Sequence, residues 1–357
     1  MKYKQVIIYY FSGTGNAKNT AFWIADEAKI KGLDTDIINI DKVESKNISQ
    51  PPENTLIGFI APTHGFHFPE IMRKFIRYFP KVKNCSAFVV NTRAGLRTGK
   101  GFIPGLSGVL HYWSSIILRS KGFRVIGLQA VDLPSNWLSV HPALREKTIK
   151  LIYQHIEPKV RNFAIKITDG RKSYRALYDI IQDIIVAPIA ILYILFGKYF
   201  FAKSFIASSD CDMCRLCETT CPVQAIKQVD NRMFWTIKCE SCMKCMSNCP
   251  QKAIETAHGF IIIGSIILTS FSAFLINNIL TFSPFVDWQL LENENIKTIL
   301  NIILFFLLLF IAYRIMHWLM RFKLFERIFV LSSLTQYEFW GRYKAPNKRI
   351  KTHSNNV

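Results

Sequence analysis

Two stretches decide the reading: Cys211-Asp-Met-Cys214-Arg-Leu-Cys217-Glu-Thr-Thr-Cys221-Pro222 and Cys239-Glu-Ser-Cys242-Met-Lys-Cys245-Met-Ser-Asn-Cys249-Pro250. They form one repeat with a period of 28 residues, and the repeat extends past the cysteines, because Ala225 and Ile226 match Ala253 and Ile254. Of the nine cysteines in the 357 residues, only Cys85 lies outside it. Thiolates are soft, strong ligands for iron, and three on one tight loop can cap three corners of a cubane. Zinc is the alternative, since Cys-x2-Cys pairs also bind it. Two complete four-cysteine runs with trailing prolines favour two [4Fe–4S] clusters held by Cys211, Cys214, Cys217, Cys221, Cys239, Cys242, Cys245 and Cys249. Cys85 opens a strand-like run and reads as a buried, inert thiol.

The repeat resembles bacterial two-[4Fe–4S] ferredoxins over about 50 residues. The resemblance implies crossed ligation: Cys211, Cys214 and Cys217 with Cys249, and Cys239, Cys242 and Cys245 with Cys221. The sequence departs from many small ferredoxins, which are acidic, by placing Lys227, Arg232 and Lys238 between the motifs.

Upstream, residues 4–11 form an apolar run that ends in Ser12-Gly13-Thr14-Gly15-Asn16 and leads into a helical pattern. Glycines let the backbone wrap an anion at a helix N-terminus, where amides and hydroxyls donate to phosphate. A dinucleotide loop would need a third glycine where Lys18 stands, and the P-loop pattern is absent. Further apolar runs at 36–40, 55–61, 86–91 and 124–131 alternate with helix-length segments, which predicts βαβ units and a doubly wound parallel sheet of order 2-1-3-4-5. A helix over 142–168 closes this unit, and Asp169 to Ser173 is a polar break.

Residues 1–165 resemble flavodoxins, which implies bound flavin mononucleotide (FMN). The matching positions are Ser12, Gly13, Thr14, Gly15 and Asn16 in the phosphate loop, then Pro62, Thr63, His64 and Gly65, and then Thr92, Arg93, Ala94 and Gly95. Ala17 stands where the family usually has threonine, with Thr14 and Thr20 as candidate substitutes. Phe66, Phe68 and Trp137 are candidates to stack on the flavin ring. His64, His67 and His141 read as loop or surface residues, and no acid–base or nucleophile constellation marks a catalytic centre.

Phe260 to Leu280 carries no charge, and Thr298 to Tyr313 continues apolar to Leu319 if Arg314 reaches the headgroups. Asp287, Glu292 and Glu294 lie between these runs, and Arg321, Lys323, Arg327, Arg342, Lys344, Lys348, Arg349 and Lys351 follow them. Excess Lys and Arg marks the cytoplasmic side, so the pattern predicts a transmembrane hairpin with both ends in the cytosol. A pair of buried soluble helices is the alternative. The net charge of +20 then suits an anionic membrane, since no nucleic-acid fold accompanies it. No cleavable export signal is visible in the first residues, and clustered metal-type cysteines fit the reducing cytosol.

The expected fold is therefore α/β, flavodoxin-like, over 1–169, then a connector or interfacial helix over 170–203 and a small α+β two-cluster ferredoxin unit over 204–258. A transmembrane helical hairpin over 259–320 and a basic cytosolic tail over 321–357 complete it. The order resembles a bacterial family of flavodoxin–ferredoxin fusions, with the hairpin and tail added. The expected function is electron transfer between FMN and two [4Fe–4S] clusters on the cytosolic face of the inner membrane. The partner would be a redox protein or a small electron acceptor, with membrane lipid around the hairpin and no nucleic acid. Direct reduction of a quinone or other small acceptor, and iron–sulfur redox sensing, are the alternatives.

Overall fold

The computed structural model describes residues 3–43, 48–99, 101–279 and 293–346. Five parallel strands form the first unit: β1 (Gln5–Tyr10), β2 (Asp34–Asn39), β3 (Thr55–Pro62), β4 (Ser86–Thr98) and, after the short antiparallel β5 (Gly101–Ile103), β6 (Arg124–Pro134). Their order is β2-β1-β3-β4-β6, the doubly wound order expected from the spacing of the apolar runs. β3 is buried along its whole length, as a strand covered on both faces must be. Helices α1 (Asn16–Ile30) and α4 (Glu146–Thr168) cover one face, and α2 (Glu70–Tyr78) and α3 (Leu110–Ser120) the other. Cys85 is fully buried immediately before β4, as its apolar setting suggested.

The cysteine repeat folds as two short pairs, β7 (Phe205–Ala207) with β10 (Ile254–Thr256) and β8 (Ile226–Val229) with β9 (Arg232–Trp235), both antiparallel. Single helical turns α7 (Leu216–Thr219) and α8 (Lys244–Asn248) follow the cysteine loops.

Three helices are long and apolar enough to cross a membrane: Arg175–Ala202, His258–Asn278 and Glu294–Leu319. Two were expected from the sequence. The first of the three is continuous through α5 (Ile180–Leu192), a π turn at Tyr193–Gly197 and α6 (Lys198–Ala202). The π turn lies downstream of Pro188, whose missing N–H loosens the helical ladder. The other two, α9 (His258–Phe274) and α10 (Glu294–Leu319), pack antiparallel. Phe260 meets Tyr313 near one end, and Ser272 donates to Asn301 further along each helix in opposite directions. Of residues 281–297, read as the external connection, 281–292 lie outside the described residues, and Glu294 to Lys297 form the first turn of α10.

Two expectations are corrected in the last turns of α10 and after it. Arg314, expected to reach toward headgroups, pairs instead with the Asp230 carboxylate at 3.3 Å, in the β8–β9 turn. Around it, Tyr313 donates to the Phe205 carbonyl and the His317 ring bonds that of Val229, so the last turns of α10 belong to the cysteine unit. Second, the described part of the basic tail is a packed strap. After α11 (Lys323–Leu331), the Thr335 hydroxyl accepts from the Thr256 amide and Arg342 pairs with Glu255. Trp340 donates to the Leu138 carbonyl at 2.7 Å, and Tyr343 is 1% exposed. These aromatics find apolar seats that the surrounding charges concealed. Residues 347–357 lie outside the described residues.

Candidate functional site

A cavity of about 540 Å³ opens at the carboxyl ends of the parallel strands, where the chain reverses its winding direction. Of the positions expected to hold a cofactor, Ser12, Gly13, Thr14, Asn16, Pro62, Thr63, His64, Gly65, Thr92, Arg93 and Ala94 line it. Gly15 and Gly95 do not. Gly15 faces Ala345 of the strap, and Gly95 abuts the backbone of Asp132.

The first loop is held by the protein's own hydrogen bonds. The Gly15 amide donates to the Ser12 hydroxyl at 3.1 Å, and Asn136 donates to the Thr14 hydroxyl at 2.6 Å. Asn16 donates to the Pro134 carbonyl at 2.8 Å, tying the first turn of α1 to the end of β6. The Thr14 hydroxyl keeps its own proton for an anion. Thr20, the other candidate for that task, donates to the Asn16 carbonyl inside its helix and does not reach the cavity.

Arg93 lines the cavity, but its guanidinium is committed elsewhere, to Asp132 at 2.7 Å and Asp179 at 2.6 Å. It fixes the third loop to β6 and to the segment entering α5. His111 serves the same frame, with its Nε2 2.7 Å from the Asn91 amide oxygen while Asn91 donates to Thr63. Burial, helped by Arg93, drives the His111 ring down to about 3, so it is neutral.

Among the aromatic candidates, Phe66 and Trp137 line the cavity, whereas Phe68 is 2% exposed in the core. His64 and His141 reach the cavity, and His67 is buried beside Trp113. The Nδ1 of His64 and the Nε1 of Trp137 are buried without a protein partner, so two polar atoms on the lining await one. The sequence reading missed the roof: Ile189, Tyr193 and Phe201, from the apolar helix, also line the cavity. Tyr193 lies flat over Gly65, where a β-carbon would come 2.0 Å from the ring, so the second loop needs glycine there. An aromatic with a polar tip inside the 184–202 run was the one local sign. A cavity lined by the hydroxyls and amides of the first loop and by Phe66, Trp137, Tyr193 and Phe201 suits a phosphorylated flat ring.

The two cysteine loops repeat in backbone as well as in sequence. Met213 and Ser241, Arg215 and Met243, and Gln224 and Lys252 are matched pairs in the left-handed region, with φ of 58° and 50°, 58° and 59°, and 49° and 52°. Side-chain-bearing residues adopt this region when neighbours impose it, and alternation with right-handed residues turns successive amides inward into an anion cradle of the kind found at iron–sulfur sites. Burial, with Cys211, Cys249 and Cys214 beside it, pushes the Cys217 thiol up to about 12. Burial likewise raises Cys239, flanked by Cys242 and Cys221, and Cys242, flanked by Cys245 and Cys221. Each group of three thus gathers the last cysteine of the other run. The groups adjoin one another, because Cys245 also has Cys217 as a neighbour.

Among the described residues, no three of His, Cys, Asp and Glu converge as ligands of a single ion. A cubane holds each thiolate on a different iron, and so accepts a wider spacing. Lys203, 4% exposed, adds a cation on the Cys239 side, with its ammonium on the Trp235 carbonyl at 2.7 Å and over the rings of Tyr313 and Phe234.

The two sites touch. A β-carbon on Gly13 would lie 2.0 Å from the Cys242 carbonyl oxygen, and Ser241 itself lines the cavity. Lys244 pairs with Asp41 at 2.5 Å, and Glu240 accepts from the Ile71 amide at 3.1 Å.

The family model for flavodoxin matches residues 8–102. Solved structures similar to the chain include the flavodoxin of Streptococcus pneumoniae, at 17% identity and TM-score 0.29, covering 44% of this chain and 97% of that one. The oxidised flavodoxin of Bacillus cereus gives the same four values. The rubredoxin oxygen:oxidoreductase of Desulfovibrio gigas is 12% identical at TM-score 0.29, with 44% of this chain covered and 36% of that one. No curated protein sequence matches the chain.

Proposed function

We propose, from the flavodoxin domain at residues 8–102 and the site beside it, that the chain is a membrane-anchored electron carrier joining FMN to two [4Fe–4S] clusters. The observation that carries this reading is the contact of Gly13 with Cys242, which sets the phosphate loop against a cysteine loop. When bound, a flavin handles one or two electrons and each cluster hands on one at a time. Ser12 and Thr14, with the first amides of α1, hold the phosphate. Phe66 and Trp137 flank the ring, and Tyr193 and Phe201 keep water from it.

Cys239, Cys242, Cys245 and Cys221 hold the cluster nearer the flavin. Cys211, Cys214, Cys217 and Cys249 hold the farther one, so the three redox groups stand in sequence. The units on either side of 170–203, namely 1–169 and 204–258, act as one ferredoxin-fused body on the cytosolic face of the inner membrane. The hairpin over 259–320 anchors that body, and its exposed Ile262, Ile266, Ile303 and Leu307 favour lipid over water. A small lipid-soluble acceptor such as a quinone is the second reading, favoured by the apolar roof of the cavity.

Anaerobic purification in detergent, followed by iron, sulfide and flavin analysis with paramagnetic resonance, tests the proposal. Two cubanes, hence about eight irons, and releasable FMN are expected. Stoichiometric zinc, or protein refilled with flavin that retains only FAD or none, would refute it.

A further inference from the structure

We infer that the helix Arg175–Ala202 does not cross the membrane but lies in its surface, with one face roofing the flavin cavity and the other in lipid. Ala176, Asp183, Val186 and Ala190 are 2%, 1%, 7% and 0% exposed, a stripe at helical spacing turned toward the protein. On the opposite side Ile181, Ile184, Ile185 and Leu192 are 75%, 66%, 69% and 55% exposed.

The buried stripe is docked along its length. Gln182 donates to the Gly105 carbonyl at 3.1 Å, Asp183 accepts from the Gly108 amide at 2.8 Å, Tyr193 covers Gly65, and Lys198 pairs with Glu70 at 2.6 Å. The helix is long enough to cross a bilayer, but it is tied to the parallel-sheet unit near its start, its middle and its end, which holds it along that unit's surface.

Lipid is the occupant of the outer face on two further observations. The face continues into the hairpin, since Phe196 stacks on Phe306 and Phe200 on Phe305 of α10. It is also rimmed with base: Arg171, Lys172 and Arg175 are exposed where the helix begins. Nearby in character, α11 exposes Leu324, Phe325 and Ile328 beside Lys323 and Arg327. Apolar bodies with basic flanks are what anionic interfaces bind. Ile189 belongs to both surfaces, being 51% exposed and part of the cavity lining, so the cavity mouth opens at the lipid boundary.

The inference rests on the membrane reading of the hairpin, and one experiment separates the two. The photocrosslinking residue p-benzoylphenylalanine is placed singly at Ile181, Ile184, Gln182, Ile266 or Tyr78 of the full chain, reconstituted in nanodiscs containing anionic phospholipid. Irradiated protein is then read by mass spectrometry. Lipid adducts are expected at Ile181 and Ile184 at the yield of Ile266, with loss of adduct at Gln182 and Tyr78. Adducts at Ile266 without any at Ile181 and Ile184 would overturn the seat and leave the hairpin standing. Equal lipid adducts at Gln182 and Ile184 would mean a spanning helix, and crosslinks between two copies at Ile184 a protein interface. Either result overturns it. Absence of lipid at Ile266 itself would overturn both readings.

Discussion

Gly13→Ala is the sharpest probe of the arrangement, because one methyl group tests whether the two cofactor units are a single body. The added β-carbon meets the Cys242 carbonyl oxygen at 2.0 Å and the Cys242 β-carbon at 3.3 Å. Ordinary contact begins near 3.4 Å, and the obstacle is backbone, so the loops must part by more than an ångström. Overpacking of this kind costs about 1–3 kcal/mol. The phosphate loop is also held by Asn136, and the cysteine unit by the Lys244–Asp41 pair, so neither yields freely. The variant should keep both cofactors, melt several degrees lower, and pass electrons from reduced flavin to the clusters more slowly in stopped-flow absorbance. Gly101→Ala, whose nearest neighbour would be the Thr98 carbonyl at 3.4 Å, is the control and should change neither value. Wild-type melting and transfer rate in Gly13→Ala would refute the docking.

Cys249→Ala should damage the cluster held by the first run and spare the other, while Cys221→Ala does the reverse; paramagnetic resonance of the reduced proteins separates them, and local damage would disprove the crossing. Tyr343→Phe removes the hydroxyl that donates to Asn16 and should cost about 0.5–1.5 kcal/mol in urea unfolding, with weaker FMN binding by titration. Burial lowers His67 and His111 to about 3, against an unfolded value of about 6.5. The unfolded chain therefore binds the extra protons first, so their stabilisation is full above pH 6.5 and is lost as pH falls toward 3. The melting temperature should drop over that window, and less steeply in His111→Gln; identical slopes would contradict the linkage. Washing membranes at high salt should release little protein, because a hairpin needs detergent whereas a basic surface alone does not.

The parallel sheet was readable because its strands are continuous apolar runs, and a run such as 55–61 leaves few alternatives to a strand buried on both faces. Ser12–Asn16 was readable because glycine and hydroxyl chemistry at a strand–helix junction is local. The matched backbone angles of Met213 and Ser241 follow from a repeat already visible in the cysteines. What escaped is long-range. Trp340 and Tyr343 sit in a segment dominated by Arg342, Lys344 and later bases, and nothing local announces that their rings seat against Leu138 and Asn16. Tyr193 and Ile189 were hidden for a different reason. Their run is apolar on most sides, so beyond the polar tip of Tyr193 its composition does not mark which face turns to the cavity. Thr20 failed as a phosphate ligand because a helical threonine can bond its own backbone.

The strap gives the molecule a timetable. Tyr343 and Asn16 are 327 residues apart in sequence, yet bonded. At the ordinary pace of a ribosome, roughly 5–20 residues per second, the phosphate loop is complete for about 15 to 65 seconds before its partner in the strap is made. All three long apolar helices are made within that interval, so Asn16 receives its Tyr343 partner only after them. The roof of the cavity, Ile189, Tyr193 and Phe201, is made well before the strap that braces the phosphate loop from outside.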